Sequence, residues 1–237
     1  MKKILFLTTA VLVTIYFVSC KDNTVIDGLR IAQPPFSGKI ENWRLGSGKK
    51  LLAIAQRRDS AVRSLVLDSC TIDSLGNFKL NLPTPADSML MLYGIIGVMC
   101  TKHSIINPVG LRYCSTDFLV KGSSGSYLGS IFRASDSSQV TYTGKVLANL
   151  YYFNSGGSIT GTDTCTYELS SVIEHNEVTQ TKGWNSLFIV YDSVYGVNSK
   201  VRITTDAQTV KWYFSAIHDK SEKHSEFFQR KYLMKGK

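Results

Sequence analysis

Apolar residues in this chain recur in short runs with a period of two, separated by clusters of Gly, Ser, Asn and Pro. The clearest run is Phe78-Lys79-Leu80-Asn81-Leu82, which puts Phe78, Leu80 and Leu82 on one face and Lys79 and Asn81 on the other. That alternation is the mark of a half-buried strand, since successive side chains point to opposite faces. Ser74-Leu75-Gly76-Asn77 turns the chain into the strand. Pro83-Thr84-Pro85 ends it, because proline cannot donate to a ladder. The same pattern predicts strands over 37–43, 51–55, 65–67, 111–120, 127–133, 140–153, 158–160, 184–191 and 201–205. A last strand carries Val210, Trp212 and Phe214 on one face and Lys211 and Tyr213 on the other.

Two stretches read differently. Residues 89–100 are mostly apolar, but Gly94 and Gly97 interrupt them. The run is far below the roughly 20 residues of a membrane span, so a buried strand with a bend is predicted. Residues 167–178 carry the weakest strand pattern and admit a short helix. Short strands at close spacing predict an all-β fold, an antiparallel β-sandwich over residues 36–216. A division near residue 86 into two packed β subdomains is the alternative.

The first twenty residues stand apart. Met1-Lys2-Lys3 is followed by a mostly apolar stretch from Ile4 to Val18 and then by Ser19-Cys20. A basic start, a short apolar run and a small residue before a cut are the layout of a secretory signal peptide, here residues 1–19. Phe17-Val18-Ser19-Cys20 resembles the lipobox of bacterial lipoproteins, although Phe17 stands where that family usually has Leu. The resemblance implies lipidation of Cys20, which becomes the new N-terminus and anchors the chain in an envelope membrane. Lys21-Asp22-Asn23 is similar to the short Lys-acidic signal that directs some lipoproteins to the outer face of the outer membrane. A periplasmic address is equally compatible with it. Residues 20–35, closing on Gln33-Pro34-Pro35, read as an extended tether.

Composition is that of a globular protein, with 43% hydrophobic and 19% charged residues. The net charge of +9 falls to +7 once Lys2 and Lys3 leave with the signal. The basic residues are scattered, with no run of five or six, so a solvated surface is expected and no nucleic-acid partner. The densest group lies at 217–237, where Lys220, Lys223, Arg230, Lys231, Lys235 and Lys237 face Asp219, Glu222 and Glu226. Phe227, Phe228, Tyr232, Leu233 and Met234 sit among those charges. This segment is read as a fraying charged tail. With Cys20 spent on lipid, Cys70, Cys100, Cys114 and Cys165 remain, and an exported chain can pair them. Cys100 and Cys114 flank a turn marked by Pro108 and Gly110, so the expected bridge is Cys100–Cys114.

The search for chemistry is mostly negative. Gly48-Lys49-Lys50 lacks the leading Gly and the metal-holding Ser or Thr of a phosphate loop. Gly122-Ser123-Ser124-Gly125-Ser126 lacks the closing Gly of a nucleophile elbow. His103, His175, His218 and His224 include no pair four residues apart, and neither a metal site nor a cofactor is expected. Glu174-His175-Asn176-Glu177 is the one cluster suited to acid–base work. Trp43, Trp184, Trp212 and Tyr151-Tyr152 suggest a sugar-stacking surface. Trp184 and Trp212 fall within predicted strands and are expected in the core, which leaves Trp43 as the candidate ligand contact.

Ser37-Gly38-Lys39-Ile40-Glu41-Asn42-Trp43, Gly76-Asn77-Phe78-Lys79-Leu80-Asn81-Leu82-Pro83, Lys182-Gly183-Trp184-Asn185 and Lys211-Trp212-Tyr213-Phe214 resemble landmarks of uncharacterised bacterial secreted proteins. That resemblance implies a β-sandwich and no known activity. The expected function is a non-catalytic binding or structural module on an envelope lipoprotein, with an envelope protein or glycan as partner. A glycan-binding module and an envelope hydrolase are the alternatives. An exposed aromatic strip would mark the first, and a pocket holding His175 and its carboxylates the second.

Overall fold

A computed structural model of the protein describes residues 36–55, 65–93, 100–167 and 170–217. The fold is all-β and mostly antiparallel, its sheets packed together as predicted. Among the described residues the strands are β1 (Phe36–Lys39), β2 (Lys49–Ala55), β3 (Leu65–Ile72), β4 (Asn77–Leu80) and β5 (Met91–Leu92). They continue with β6 (Cys100–Lys102), β7 (Ile105–Asn107), β8 (Arg112–Lys121), β9 (Tyr127–Ala134) and β10 (Val146–Phe153). The last five are β11 (Gly157–Tyr167), β12 (Ser170–Gln180), β13 (Gly183–Tyr195), β14 (Asn198–Thr204) and β15 (Lys211–Ala216).

Seven strands form a ring around the first core. β3 pairs with β2, β2 with β8, β8 with β9 and β9 with β15, all antiparallel. β1 and β4 pair with each other, Phe36 opposite Leu80. The remaining two joints are made by single backbone hydrogen bonds and by side chains. Between β3 and β4, Asp73 N–H donates to Asn77 O at 3.1 Å and Asn81 N–H to Asp68 Oδ2 at 2.6 Å. Between β1 and β15, Glu41 N–H donates to Trp212 O at 2.9 Å. Asn42 then imitates one more strand residue, its amide donating to Phe214 O at 2.8 Å while its Oδ1 accepts Phe214 N–H at 2.7 Å. Gly76 serves the β3–β4 turn with φ of 86°, and a side chain there would meet Ile40 O and Trp43 at 2.8 Å.

Trp212 fills this ring. Its indole is buried and meets Phe36, Phe78 and Phe118 edge to face, at centroid distances of 5.4, 5.2 and 5.2 Å. Leu51, Ala53, Ile72, Leu80, Val120 and Ile131 complete the same core. Gly38 passes directly over the indole, and a Cβ there would lie 2.5 Å from Nε1. Arg133 lies across the rings of Trp212 and Phe188 at 5.5 and 5.8 Å, its guanidinium donating to Ser186 Oγ at 2.8 Å.

The second half continues from β8 and β9 through β10 in the order β10-β13-β14-β12-β11. Leu111, Tyr113, Phe153, Ile159, Val178 and Leu187 form one core there. Ala134, Leu147, Ile189, Tyr191 and Val201 form another. Among the described strand pairs β12 and β14 run parallel, Val172 opposite Ser199, and Ile40 makes an isolated parallel bridge with Trp212.

Three expectations are corrected. Residues 167–178, which admitted a helix, lie mostly in β12, where Asn176, Val178 and Gln180 point inward and His175, Glu177 and Thr179 outward. The strand predicted over 140–153 begins only at Val146. Of the predicted strand 89–100, only Met91–Leu92 and Cys100 are strand, and 94–99 lie outside the described residues. Trp212→Ala is expected to lower stability by about 3–5 kcal/mol through the cavity it leaves inside the ring. Urea denaturation followed by circular dichroism measures it, and the folded baseline should remain strand-dominated.

Candidate functional site

The outer face of β11, β12 and β14 carries the acid–base cluster. β12 is flanked by β11 and β14, so Thr162, His175 and Arg202 stand side by side across three strands. Thr162 Oγ1 and His175 Nδ1 are 3.0 Å apart, and His175 Nε2 lies 3.1 Å from Glu177 Oε1. Hydroxyl, imidazole and carboxylate are thus in hydrogen-bond continuity. Arg202 turns to Asp192 at 3.5 Å.

The setting decides what this can do. The His175 and Glu177 side chains are about half exposed, at 50% and 48%, where water screens their interaction. Strand alternation sends Glu174 and Asn176 to the opposite face, so the four residues do not converge. Residues 172–177 of β12 are paired on both sides, which commits the amides around His175 to the ladder. An oxyanion would need free N–H donors aimed at it. The arrangement is a surface hydrogen-bond chain.

Asn176 joins a more deeply buried network instead. Asp163, buried on β11, accepts hydrogen bonds from His103 N–H at 2.9 Å, Ser104 N–H at 3.0 Å and Ser104 Oγ–H at 2.7 Å. The Asn176 amide approaches its other side at 3.5 Å. A carboxylate that accepts several N–H bonds is well compensated for its burial. Its effect here is to fix the link between β6 and β7. Gly161 leaves the space, since a Cβ there would lie 2.9 Å from His103 O.

A second buried ion organises the loop before β10. Lys145 is only 2% exposed, and its ammonium donates to Ser138 O and to Val140 O, the latter at 3.1 Å, with Asp136 Oδ1 at 3.7 Å. Desolvation lowers its pKa, and Asp136 opposes that shift. Tyr142 donates its hydroxyl to Asp136 as well, and that bond holds the Asp136 carboxyl below its ordinary value. The loop wraps around an internal cation, which is why the strand predicted from residue 140 starts late. Nothing in the sequence marks Lys145 or Asp163 for these places, because both partners are set by tertiary contacts.

Trp43 is half buried. Its Nε1–H donates to Gly46 O at 3.0 Å and its ring meets Phe214 edge to face at 5.7 Å. Trp184 packs at the margin of the first core, donating to Pro83 O at 3.1 Å. Trp212 is fully a core residue, as expected. Tyr152 is buried against Trp184, while Tyr151 stands among Tyr113 and Phe153. Cys20, His218 and His224 lie outside the described residues. Among the described residues no three His, Cys, Asp or Glu side chains gather as a metal site would require.

The cysteine expectation is corrected. Cys100 is bonded to Cys165, and Cys114 is a free, buried thiol. The reason is register: β6 lies against β11 with Cys100 directly opposite Cys165, whereas Cys114 sits in β8, inside a separate cluster with Ala55, Met89 and Tyr152. Comparison with protein-family models, with curated proteins and with solved structures finds no match to this chain.

Burial pushes the Cys114 thiol up to about 11, and it also raises that of Cys70, partly exposed on β3. The thiolate is the reactive form. Mass mapping of the non-reduced protein should therefore recover a Cys100–Cys165 cross-linked peptide. Alkylation near pH 8 should label Cys70 slowly and Cys114 only after denaturation.

Proposed function

We propose that the chain is a lipoprotein of a bacterial envelope, held to a membrane through lipid on Cys20, with its β domain serving as a non-catalytic binding or structural module. The observation that carries this reading is the run from Met1 to Cys20, a basic start and a short apolar stretch ending in Val18-Ser19-Cys20. The Cys100–Cys165 bond supports it, because such bonds persist in oxidising compartments outside the cytosol. No helix of the described residues is long and apolar enough to cross a membrane. Anchoring in this reading rests on acyl chains, each buried methylene contributing about 0.8 kcal/mol, so that two or more chains hold stably.

The module reading is supported by the polar groups themselves. The buried ions Asp163 and Lys145 are spent on holding loops in place. The most catalytic-looking group, Thr162-His175-Glu177, lies open on a sheet face. Radiolabelled palmitate should enter the wild-type chain and be absent from Cys20→Ala. Labelling that survives the substitution would remove the anchor from this reading.

A further inference from the structure

The strand directions of the first ring gather basic residues at one of its ends. β1, β3, β8 and β15 run one way, and β2, β4 and β9 run the other. The β1–β2, β3–β4 and β8–β9 connections and the end of β15 therefore share one end of the ring. Arg44, Lys49, Lys50 and Lys121, scattered in the sequence, all stand there. None of the four pairs with a carboxylate among the described residues. Of the acidic groups nearby, Asp73 spends its carboxylate on the β3–β4 turn, accepting from Leu75 N–H, Asn77 N–H and the Asn77 amide at 2.8 Å each. Glu41 is matched by Lys211 at 3.7 Å.

Two of these cations face each other. Lys50 and Lys121 are direct partners in the β2–β8 ladder. Leu51 and Val120 beside them are buried in the first core, so strand alternation turns both lysines outward. Like charges directly opposite across strands are destabilising. The Lys121 ammonium lies over the Tyr127 ring at 4.5 Å, which offers it a π face but no counter-charge. This end of the ring lacks an anion. It also exposes apolar side chains: Leu75, Tyr127 and Ile217 are 68%, 50% and 63% exposed.

We propose that this end of the ring docks on an anionic lipid bilayer, its four basic side chains meeting headgroup phosphates while Leu75, Tyr127 and Ile217 enter the interface between them. Cations and apolar side chains on one surface fit a partner with phosphate above and hydrocarbon below. A soluble polyanion would match the lysines and leave the apolar side chains in water. The inference rests on the anchored reading for one thing, the nearness of a bilayer. The chain from Cys20 to Phe36 spans at most about 55 Å. That exceeds the roughly 33 Å of the ten-residue β8, so a lipid on Cys20 leaves either end of the ring within reach of the surface.

The test uses residues 20–237 with Cys20→Ser, so that neither the apolar leader nor an acyl chain contributes; palmitate labelling decides the anchor separately. Co-sedimentation with vesicles of phosphatidylcholine and phosphatidylglycerol in equal parts should saturate, weaken as salt rises, and be absent with phosphatidylcholine alone. Each basic side chain near such a surface contributes roughly fivefold in affinity. Lys50→Gln with Lys121→Gln should therefore weaken binding roughly twentyfold. The urea midpoint of that variant should hold or rise, because the like-charge pair is relieved. Lys182→Gln with Lys200→Gln makes the same charge change at exposed positions of the second half and should leave binding nearly unaltered. Leu75→Ser should lower it several-fold. A chain that stays in the supernatant with the anionic vesicles, or is weakened equally by the two lysine pairs, would overturn the proposal. So would one that ignores the vesicles and is retained on alginate, which would make this end a glycan site instead.

Discussion

The packing of Trp212 against three phenylalanines is the contact on which the first half of the molecule depends. Phe36, Phe78 and Phe118 come from β1, β4 and β8, and Trp212 comes from β15. These strands are distant in sequence and none could bury its aromatic alone. A shared indole gives them one place to meet, and the ring of strands follows from that meeting. The joint between β1 and β15 contains little regular ladder, so Asn42 supplies the two hydrogen bonds that a strand residue would have made. Gly38 is the steric counterpart, a position where any side chain would occupy the space of the indole.

Buried charge is used for a different purpose, shaping loops. Asp163 and Lys145 are each surrounded by oppositely polarised backbone groups: N–H donors around the carboxylate, carbonyl oxygens around the ammonium. Burying either ion without such partners would cost several kcal/mol. With them, each loop has one conformation that satisfies the ion and many that do not. The loop around Lys145 leaves Val140 and Tyr142 exposed, and Val194 N–H bonds to Thr143 Oγ1, tying that loop to the β13–β14 hairpin.

Much of the fold was legible in the sequence because strand alternation is local. Phe78, Leu80 and the pair Trp212 and Phe214 fell on the predicted faces for that reason. The misses share a physical cause. Strand propensity at Val140 and Tyr142 extends the predicted strand back to residue 140, while the feature that holds them out of the sheet is Lys145, several residues on. Residues 167–178 looked ambiguous because Glu174, His175 and Asn176 break the apolar period, yet the inward Asn176 has a polar partner in Asp163 that only the topology provides. Sequence proximity favours Cys114 as the partner of Cys100, whereas pairing is decided by strand register, which sets Cys165 opposite Cys100. The acid–base cluster was visible as residue types, but its dispersal over two faces followed from the strand that carries it.

The position of β15 in the ring has a consequence for how the chain acquires its structure. β15 is made after every other strand described, yet it sits between β9 and β1, and Trp212 supplies the centre of the core that β1 to β4 enclose. While residues 36–134 emerge from a ribosome, their apolar faces have no indole to close on. Non-local closure of this kind is slow, because loop entropy is lost before contacts reward it. Late closure leaves the first core open until residue 216 has been synthesised, so the same indole that completes the folded ring also sets the earliest moment at which that ring can close.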